Sequence, residues 1–374
     1  MRTRAAILYE MGKPYPYAES LPLRVAEIDL APPGKNEVLV EVAAAGLCHS
    51  DLSVIDGSRP RVMPMVIGHE AAGVVRELGA GVKDLEPGDH VIFSFVPVCG
   101  TCSFCEQDRV ALCEPGAKAN VAGTLLSGSR HFSDAGSPLN HHLGVSGFSE
   151  FTVVAKESLV PIDKTLPLDL AAVFGCAVLT GVGAVLNTAK VNKEESVAVF
   201  GLGGVGLSMV IGARHAGAFP IIAIDRLGDK LERAREVGAT HTINAAEVDA
   251  VEAVREITSG GADYVLEGVG NEQVLIQAYA ATKRGGTTIT AGLPHPDKMF
   301  SVPAFSLAAE ERTVKGSYMG SCLPSRDLPK YIEMYQEGSL PIDKLRTHTI
   351  TLDEINLGFD RLAEGKAIRQ IVAF

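Results

Sequence analysis

From Ser196 to Asp225 the chain spells an apolar strand, a turn dense in glycine, a helix, and a second apolar strand that stops at an acid. Few folds accommodate that order. Ser196–Phe200 and Pro220–Ile224 read as the strands, and Gly201-Leu202-Gly203-Gly204-Val205-Gly206 lies between strand and helix, the setting a dinucleotide loop requires. In that reading Gly201 allows the tight turn, Gly203 lets backbone approach a pyrophosphate, and Gly206 permits close helix–strand packing. The helix N-terminus offers unpaired N–H groups and a positive dipole end to phosphate. A glycine triplet alone would be an ordinary turn, but an acid is expected about 20 positions further on, and Asp225 stands there. A carboxylate at that place accepts hydrogen bonds from the adenosine ribose and repels a 2′-phosphate, which favours NAD over NADP. Arg226 beside it would have the opposite effect if it faced the ribose; a solvated surface position is the simpler reading.

After Asp225 strands and helices keep alternating: helix Gly228–Val237, strand Tyr264–Leu266, a helix near Glu272–Ala281, strand Thr287–Ala291. Alternation of this kind builds a parallel, doubly wound sheet. Before about Asp169 the pattern is different, with short alternating strands such as Val38–Val42, Gly73–Val75 and His90–Val96 among Gly and Pro turns, as in a mainly β domain. Residues 114–147, with three histidines (His131, His141, His142), read as a long irregular functional loop. At 374 residues two domains are expected. Between them lies Leu170–Ala189, an uncharged stretch long enough to span a bilayer. Its many alanines and glycines favour a buried helix pair instead. A net charge of −11 disfavours nucleic acid and anionic membrane as partners. The basic start Met1–Arg4 leads into an apolar run that stops at Glu10, too short for a secretory signal, so a soluble cytoplasmic protein is expected.

Seven cysteines, an odd number, disfavour a disulfide framework. Cys99, Cys102, Cys105 and Cys113 fall within fifteen residues and can close a tetrahedron of thiolates on one ion. Iron–sulfur spacing ends C-x3-C-P, whereas the last gap here is seven and Cys113 precedes Glu114. Four thiolates leave no open position, so a structural zinc is predicted. Cys48, Cys176 and His69 singly are unremarkable, because buried cysteines usually act as small hydrophobes.

Taken together, Gly68-His69-Glu70-x2-Gly73-x5-Gly79, the cysteine lobe, Cys176, the glycine turn and the ending Arg369-Gln370-Ile371-Val372 resemble the zinc-dependent medium-chain alcohol dehydrogenases along the whole chain. The resemblance implies an α/β protein: a GroES-like, mainly β catalytic domain (1–177, with the zinc lobe at 95–115), a Rossmann domain (178–320), and a return to the catalytic domain (321–374). It implies two zinc ions per chain and NAD. The catalytic zinc would be held by Cys48, His69 and Cys176, with Glu70 behind it as an exchangeable ligand and Asp51 fixing the His69 tautomer. Such an ion acidifies an alcohol or polarises a carbonyl, and the nicotinamide takes or gives the hydride.

The resemblance also makes Ser50 the first proton acceptor. The family's usual histidine five residues after the first zinc cysteine is replaced by Ser53. His49 and Arg369 are implied at the pyrophosphate, Lys230 at the ribose and Thr180 at the nicotinamide, with Val269 and Leu293 as further cofactor contacts. Phe95 and Leu143 would line the substrate pocket. Asp56-Gly57-Ser58-Arg59-Pro60 does not match the acidic turn of the glutathione-dependent formaldehyde branch, which disfavours a thiol-adduct substrate. Polyol dehydrogenases of the superfamily commonly carry glutamate at the third ligand, so Cys176 argues against them, and a zinc-free or nucleic-acid-binding relative would not keep both ligand sets on an acidic chain. The expected partner is a small alcohol or aldehyde, in a homodimer joined through late apolar strands such as Ser301–Phe305.

Overall fold

The computed structural model describes all 374 residues. The chain forms two compact units, one made of Met1–Cys176, Leu323–Pro329 and Arg346–Phe374, the other of Ala177–Cys322 and Lys330–Leu345. A single return of the chain to the first domain, near 321, is expected from the sequence. In the structure, residues 330–345 go back to the second unit before the chain ends in the first. Tyr331, 1% exposed, anchors that excursion by meeting Asn187 (Nδ2 to hydroxyl 3.2 Å) and Cys322 (3.6 Å).

In the first unit, strands Arg2–Leu8, Leu23–Leu30, Phe132–Asp134, Ser137–His141 and Met65–Val66 close a small barrel around Ile7, Ile28, Val66, Phe132 and Leu139. A second sheet runs in the order Leu159–Ile162, His90–Phe93, Glu70–Leu78, Glu37–Gly46, Arg369–Ala373, Arg346–Ile350. Its register sets Gly46 opposite both Glu70 and Ile371, so three distant segments converge just before Cys48. The expected irregular loop at 114–147 instead holds the helix Glu114–Ala122 and two of the barrel strands. Those strands are three and five residues long and include Pro138 and Asn140, so local alternation could not announce them; barrel closure forms them.

The second unit contains β1 (Val197–Phe200), β2 (Ile221–Asp225), β3 (His241–Asn244), β4 (Ala262–Glu267), β5 (Thr282–Thr290) and β6 (Thr313–Gly316). All pairings are parallel, in the order 3-2-1-4-5-6, the doubly wound arrangement of dinucleotide folds. Ser301–Phe305, expected as a strand, is coil leading into the helix Ala304–Ala309. Pro303 lacks the ladder donor and sits at that helix's N-cap. One edge of the sheet is β6, whose four residues are all exposed.

The uncharged stretch Leu170–Ala189 lies within one helical run, Leu168–Ala189, not a pair of helices. It widens into π turns at Phe174–Val178 and Ala184–Ala189. It is long and apolar enough to cross a membrane, yet nearly all of it is buried in the protein. Its small residues have a packing reason: a Cβ on Gly181 would strike the Val205 carbonyl, and one on Gly183 would come within 2.5 Å of Cys322 Sγ.

Two outcomes follow for stability. Gly183→Ala overpacks this contact and is expected to cost about 1–3 kcal/mol, read as a lower denaturant midpoint at unchanged slope. Glu37, buried in the first unit, accepts from Ser127 Oγ (2.6 Å), Ser129 Oγ (2.5 Å) and the Gly34 amide (2.7 Å), with His131 Nε2 at 2.7 Å. Burial opposes its ionisation, but these donors prevail and hold its pKa below the usual carboxylate value. Its stabilisation is therefore complete above the unfolded-state pKa and vanishes as pH falls through the lower folded one. Melting curves of wild type and Glu37→Gln should differ most near neutrality and converge in acid.

Candidate metal centres and dinucleotide loop

Strand Glu37–Gly46 runs into Cys48, which N-caps the helix His49–Ile55. The cap brings Asp51 back onto the Cys48 amide, with Oδ2 accepting at 3.1 Å. The other oxygen of Asp51 meets His69 Nδ1 at 2.7 Å, so the same carboxylate that closes the helix turns the His69 ring. His69 Nε2 then lies 3.3 Å from Cys176 Sγ, and Cys176 Sγ lies 4.0 Å from Cys48 Sγ. Cys176 arrives from the widened turn of the long helix, as the last residue of the first unit. All three ligand atoms lie within 4.8 Å of one another, and all three residues are buried.

A tetrahedral zinc with bonds of about 2.3 Å to sulfur and 2.0 Å to nitrogen needs ligand separations of about 3.8 and 3.5 Å. The observed spacings fit such an ion, and three protein donors leave its fourth position open.

Behind these donors sit Glu70 and Arg369. Glu70 is fully buried, neither carboxylate oxygen makes a hydrogen bond, and Arg369 Nε lies 3.4 Å away. Arg369, implied at a pyrophosphate, has its guanidinium 3% exposed, with Nη1 donating to the Leu47 carbonyl (3.2 Å) and Nη2 3.8 Å from Cys48 Sγ. Burial raises the Glu70 pKa to about 7, with Arg369 pulling the other way. The Cys176 thiol holds the Cys48 pKa well below that of a free thiol, helped by Arg369, while Cys176 is driven up in return. Burial disfavours an imidazolium at His69, but Asp51 and Cys48 outweigh it and lift its pKa to about 10. The cluster therefore holds protons that a bound dication would replace.

Phe95 packs edge-on to His69, centroids 5.6 Å apart, and Leu143 is buried. Ser50 is half-buried in the first turn of the helix, His49 beside it is exposed, and Ser53 Oγ donates to the His49 carbonyl at 2.9 Å. One residue that the sequence reading left without a role also reaches this cluster: His142, with Nδ1 3.3 Å from Asp51 Oδ1. Its only advance signal was membership of a histidine-rich segment.

In the cysteine lobe the four sulfurs also lie within 4.8 Å of one another, with Cys99–Cys105 at 3.8 Å and Cys102–Cys105 at 3.5 Å. Backbone amides point at them: Thr101 and Cys102 donate to Cys99 Sγ (3.5 and 3.3 Å), and Cys99 and Gly116 to Cys113 Sγ (3.3 and 3.4 Å). Against the cost of burial, these donors bring the Cys99 pKa down to about 6. Amide donors around four convergent sulfurs suit a tetrathiolate ion with no free position.

In the second unit, the turn after β1 has Gly201 at φ +87°, and a Cβ on Gly206 would sit 1.7 Å from the Gly201 carbonyl, so both places require glycine. Gly203 faces open space, and Gly204 and Val205 begin the helix Gly204–His215. Asp225, at the end of β2, accepts from Leu202 N (2.8 Å), Arg226 N (2.8 Å) and Leu227 N (3.1 Å), tying the glycine loop to the next turn. The Arg226 side is exposed, and Lys230 is half-buried on the following helix. Val269 and Leu293 are exposed, at 48% and 45%, beyond the ends of β4 and β5. Glu267, not singled out in the sequence, shapes that ledge: Oε1 accepts from Val269 N and Gly270 N at 2.6 Å each, and Oε2 from Thr290 Oγ1 at 2.7 Å. Thr180 is buried in the second-unit part of the long helix.

Comparison with known proteins gives a consistent family. The alcohol dehydrogenase GroES-like domain matches residues 34–164, and the zinc-binding dehydrogenase family matches residues 204–337. The chain is 41% identical to an S-(hydroxymethyl)glutathione dehydrogenase of Escherichia coli over all of both sequences. Among solved structures, an alcohol dehydrogenase zinc-binding domain protein from Burkholderia ambifaria shares 35% identity at TM-score 0.93. Benzyl alcohol dehydrogenase from Acinetobacter calcoaceticus shares 31% at TM-score 0.93. Each match covers 100% of this chain and 99% of the other.

The two clusters should empty independently. Metal analysis of the purified protein is expected to find two zinc ions per chain, with Cys176→Ala losing one while leaving the lobe filled. Cys113→Ala should lose the other and lower the melting temperature.

Proposed function

Because this chain belongs to the zinc-dependent medium-chain alcohol dehydrogenase family, we propose that it oxidises an alcohol to an aldehyde or ketone with NAD, and runs the reverse reduction, at the Cys48–His69–Cys176 centre. The observation that carries this reading is the convergence of two buried thiols and one imidazole at zinc spacing with a fourth position unfilled by protein. A zinc ion bound there supplies Lewis acidity to a hydroxyl or carbonyl oxygen, and a bound nicotinamide supplies hydride exchange.

This chain's own residues do the rest. Asp51 keeps the proton of His69 on Nδ1, which leaves the Nε2 lone pair for the ion. Phe95 and Leu143 keep the neighbourhood apolar. Ser50 relays the substrate proton by taking it up as its own hydroxyl hydrogen passes on, and half-buried Ser53 with water would complete the path by exchanging the hydrogen it gives to the His49 carbonyl. Asp225 prefers an unphosphorylated ribose. The cysteine lobe is structural.

Two substrate readings are worth separating. A simple or aromatic alcohol comes first, because Asp56 is turned onto its own loop (Ser58 N to Oδ1, 2.7 Å) and does not form the acidic turn of the thiol-adduct branch. The Escherichia coli relative's name favours an S-hydroxymethyl thiol adduct as the second. We further read the protein as cytoplasmic, consistent with seven cysteines free of disulfides, and as a homodimer joined through the exposed β6 edge, with Met299 and Phe305 of the preceding segment 81% and 80% exposed.

A steady-state screen of alcohols, aldehydes and hydroxymethylglutathione, with NAD(H) and NADP(H) in parallel, tests the reading. Turnover of a free alcohol with NAD is expected; no turnover of any alcohol or carbonyl would refute it. In Asp225→Ala the loss of charged hydrogen bonds, about 1.5–3 kcal/mol, should raise the KM for NAD ten- to a hundredfold and narrow the preference over NADP.

A further inference from the structure

His142 follows the barrel strand Ser137–His141, is 1% exposed, and has no part in the reaction as described above. Its ring stands edge-on to His69, centroids 5.6 Å apart at 86°, matching the way Phe95 meets His69. Nδ1 lies 3.3 Å from Asp51 Oδ1, the oxygen already engaged by His69, and completes no hydrogen bond of regular geometry. Two lone pairs facing each other at that distance would repel, so the proton belongs on Nδ1, with Nε2 bare. Burial keeps the ring neutral, pressing its pKa down to about 4.

The backbone around His142 is fixed at some expense. The His142 amide donates to Ser146 Oγ at 3.0 Å, the Val145 and Ser146 amides return to the His142 carbonyl at 3.0 and 3.2 Å, and both Leu143 and Ser146 adopt left-handed φ (+52° and +53°). Non-glycine residues take that conformation only where the surroundings enforce it. The turn pins the ring against Asp51.

We propose that His142 is a positioning residue: through Nδ1–H it steadies the Asp51 carboxylate, which in turn keeps His69 Nε2 aimed at the ion held with Cys48 and Cys176. Asp51 is then approached from three sides, by the Cys48 amide, His69 and His142. An ionised carboxylate with no exposed surface needs such donors, since no water replaces them. The proposal rests on the zinc reading of this centre.

The alternative is that His142 merely fills space, and three substitutions separate the two. His142→Asn places an amide N–H near the position of Nδ1; His142→Phe keeps the ring and loses the donor; His142→Gln carries its amide further out. Full-length protein is challenged with a chromophoric chelator at fixed pH, and zinc release is followed, with Cys176→Ala assigning the phase of this centre. We expect His142→Phe and His142→Gln to release this zinc about tenfold faster than wild type, the lower end for outer-shell partners, and His142→Asn to stay within about twofold. Release from the cysteine lobe should be unchanged in all three and reports folding; should Phe fail to fold, Gln carries the comparison. Equal rates in all variants, or rapid release from Asn with wild-type behaviour in Phe, would overturn the proposal. Wild-type protein that binds zinc only in the lobe would defeat the reading of the centre itself, and this inference with it.

Discussion

The Asp51 carboxylate is the interaction on which the first unit's chemistry hangs. It has no exposed surface, yet it closes the helix that begins at Cys48 and fixes the ring of His69. Removing one partner of a buried, hydrogen-bonded charge leaves the other uncompensated, which costs about 3–5 kcal/mol. Helix start and ligand orientation therefore cannot vary separately. The sheet enforces the same coupling from the other side: Gly46 pairs with Glu70 and with Ile371, so a slip of one residue in either strand would turn Glu70 or Arg369 away from Cys48.

Charge balance explains why the cluster is built as it is. With both thiols and both acids ionised, Cys48, Cys176, Asp51 and Glu70 contribute four negative charges against one positive charge on Arg369. A dication reduces the excess from three to one, leaving a cluster in which the buried guanidinium of Arg369 offsets part of the anionic charge. Arg369 thus has a local reason to be buried, quite apart from any ligand. The cysteine lobe solves a simpler problem. Cys99 and Cys102 are partly exposed, Cys105 and Cys113 are buried, and backbone amides point at the sulfurs of Cys99 and Cys113, so anionic sulfur is supported there by hydrogen bonds rather than by a buried guanidinium.

What could be read from the sequence tracks how local each determinant is. Helices Gly228–Val237 and Glu272–Ala281 lie where the pattern placed them, because their apolar faces and flanking turns are encoded within about ten residues. The lobe was legible for the same reason, its four cysteines being near neighbours. The catalytic set was not, since 107 residues separate His69 from Cys176 and 128 separate Cys48 from Cys176; only resemblance assembled it. His142 was invisible because barrel closure, not periodicity, carries Ser137–His141 to its place. The Ser301–Phe305 strand failed on a local rule that was available, Pro303 as a helix start.

Both units use one device to hold loops at which chemistry is proposed. Asp51 takes the Cys48 amide, Asp225 the amides of Leu202, Arg226 and Leu227, and Glu267 those of Val269 and Gly270. A loop that must present backbone or side chains to a ligand cannot satisfy its N–H groups in a ladder, and leaving them buried and unpaired is costly. Asp225 and Glu267 satisfy three and two such amides from a rigid position at the end of a strand, and Asp51, at the start of a helix, satisfies one while its other oxygen holds His69. The arrangement also supplies negative charge beside groups that carry or bind cations, as at His69. A carboxylate whose amide contacts are lost would therefore disturb loop geometry and electrostatics together, so an amide replacement at these acids separates the two effects better than alanine does.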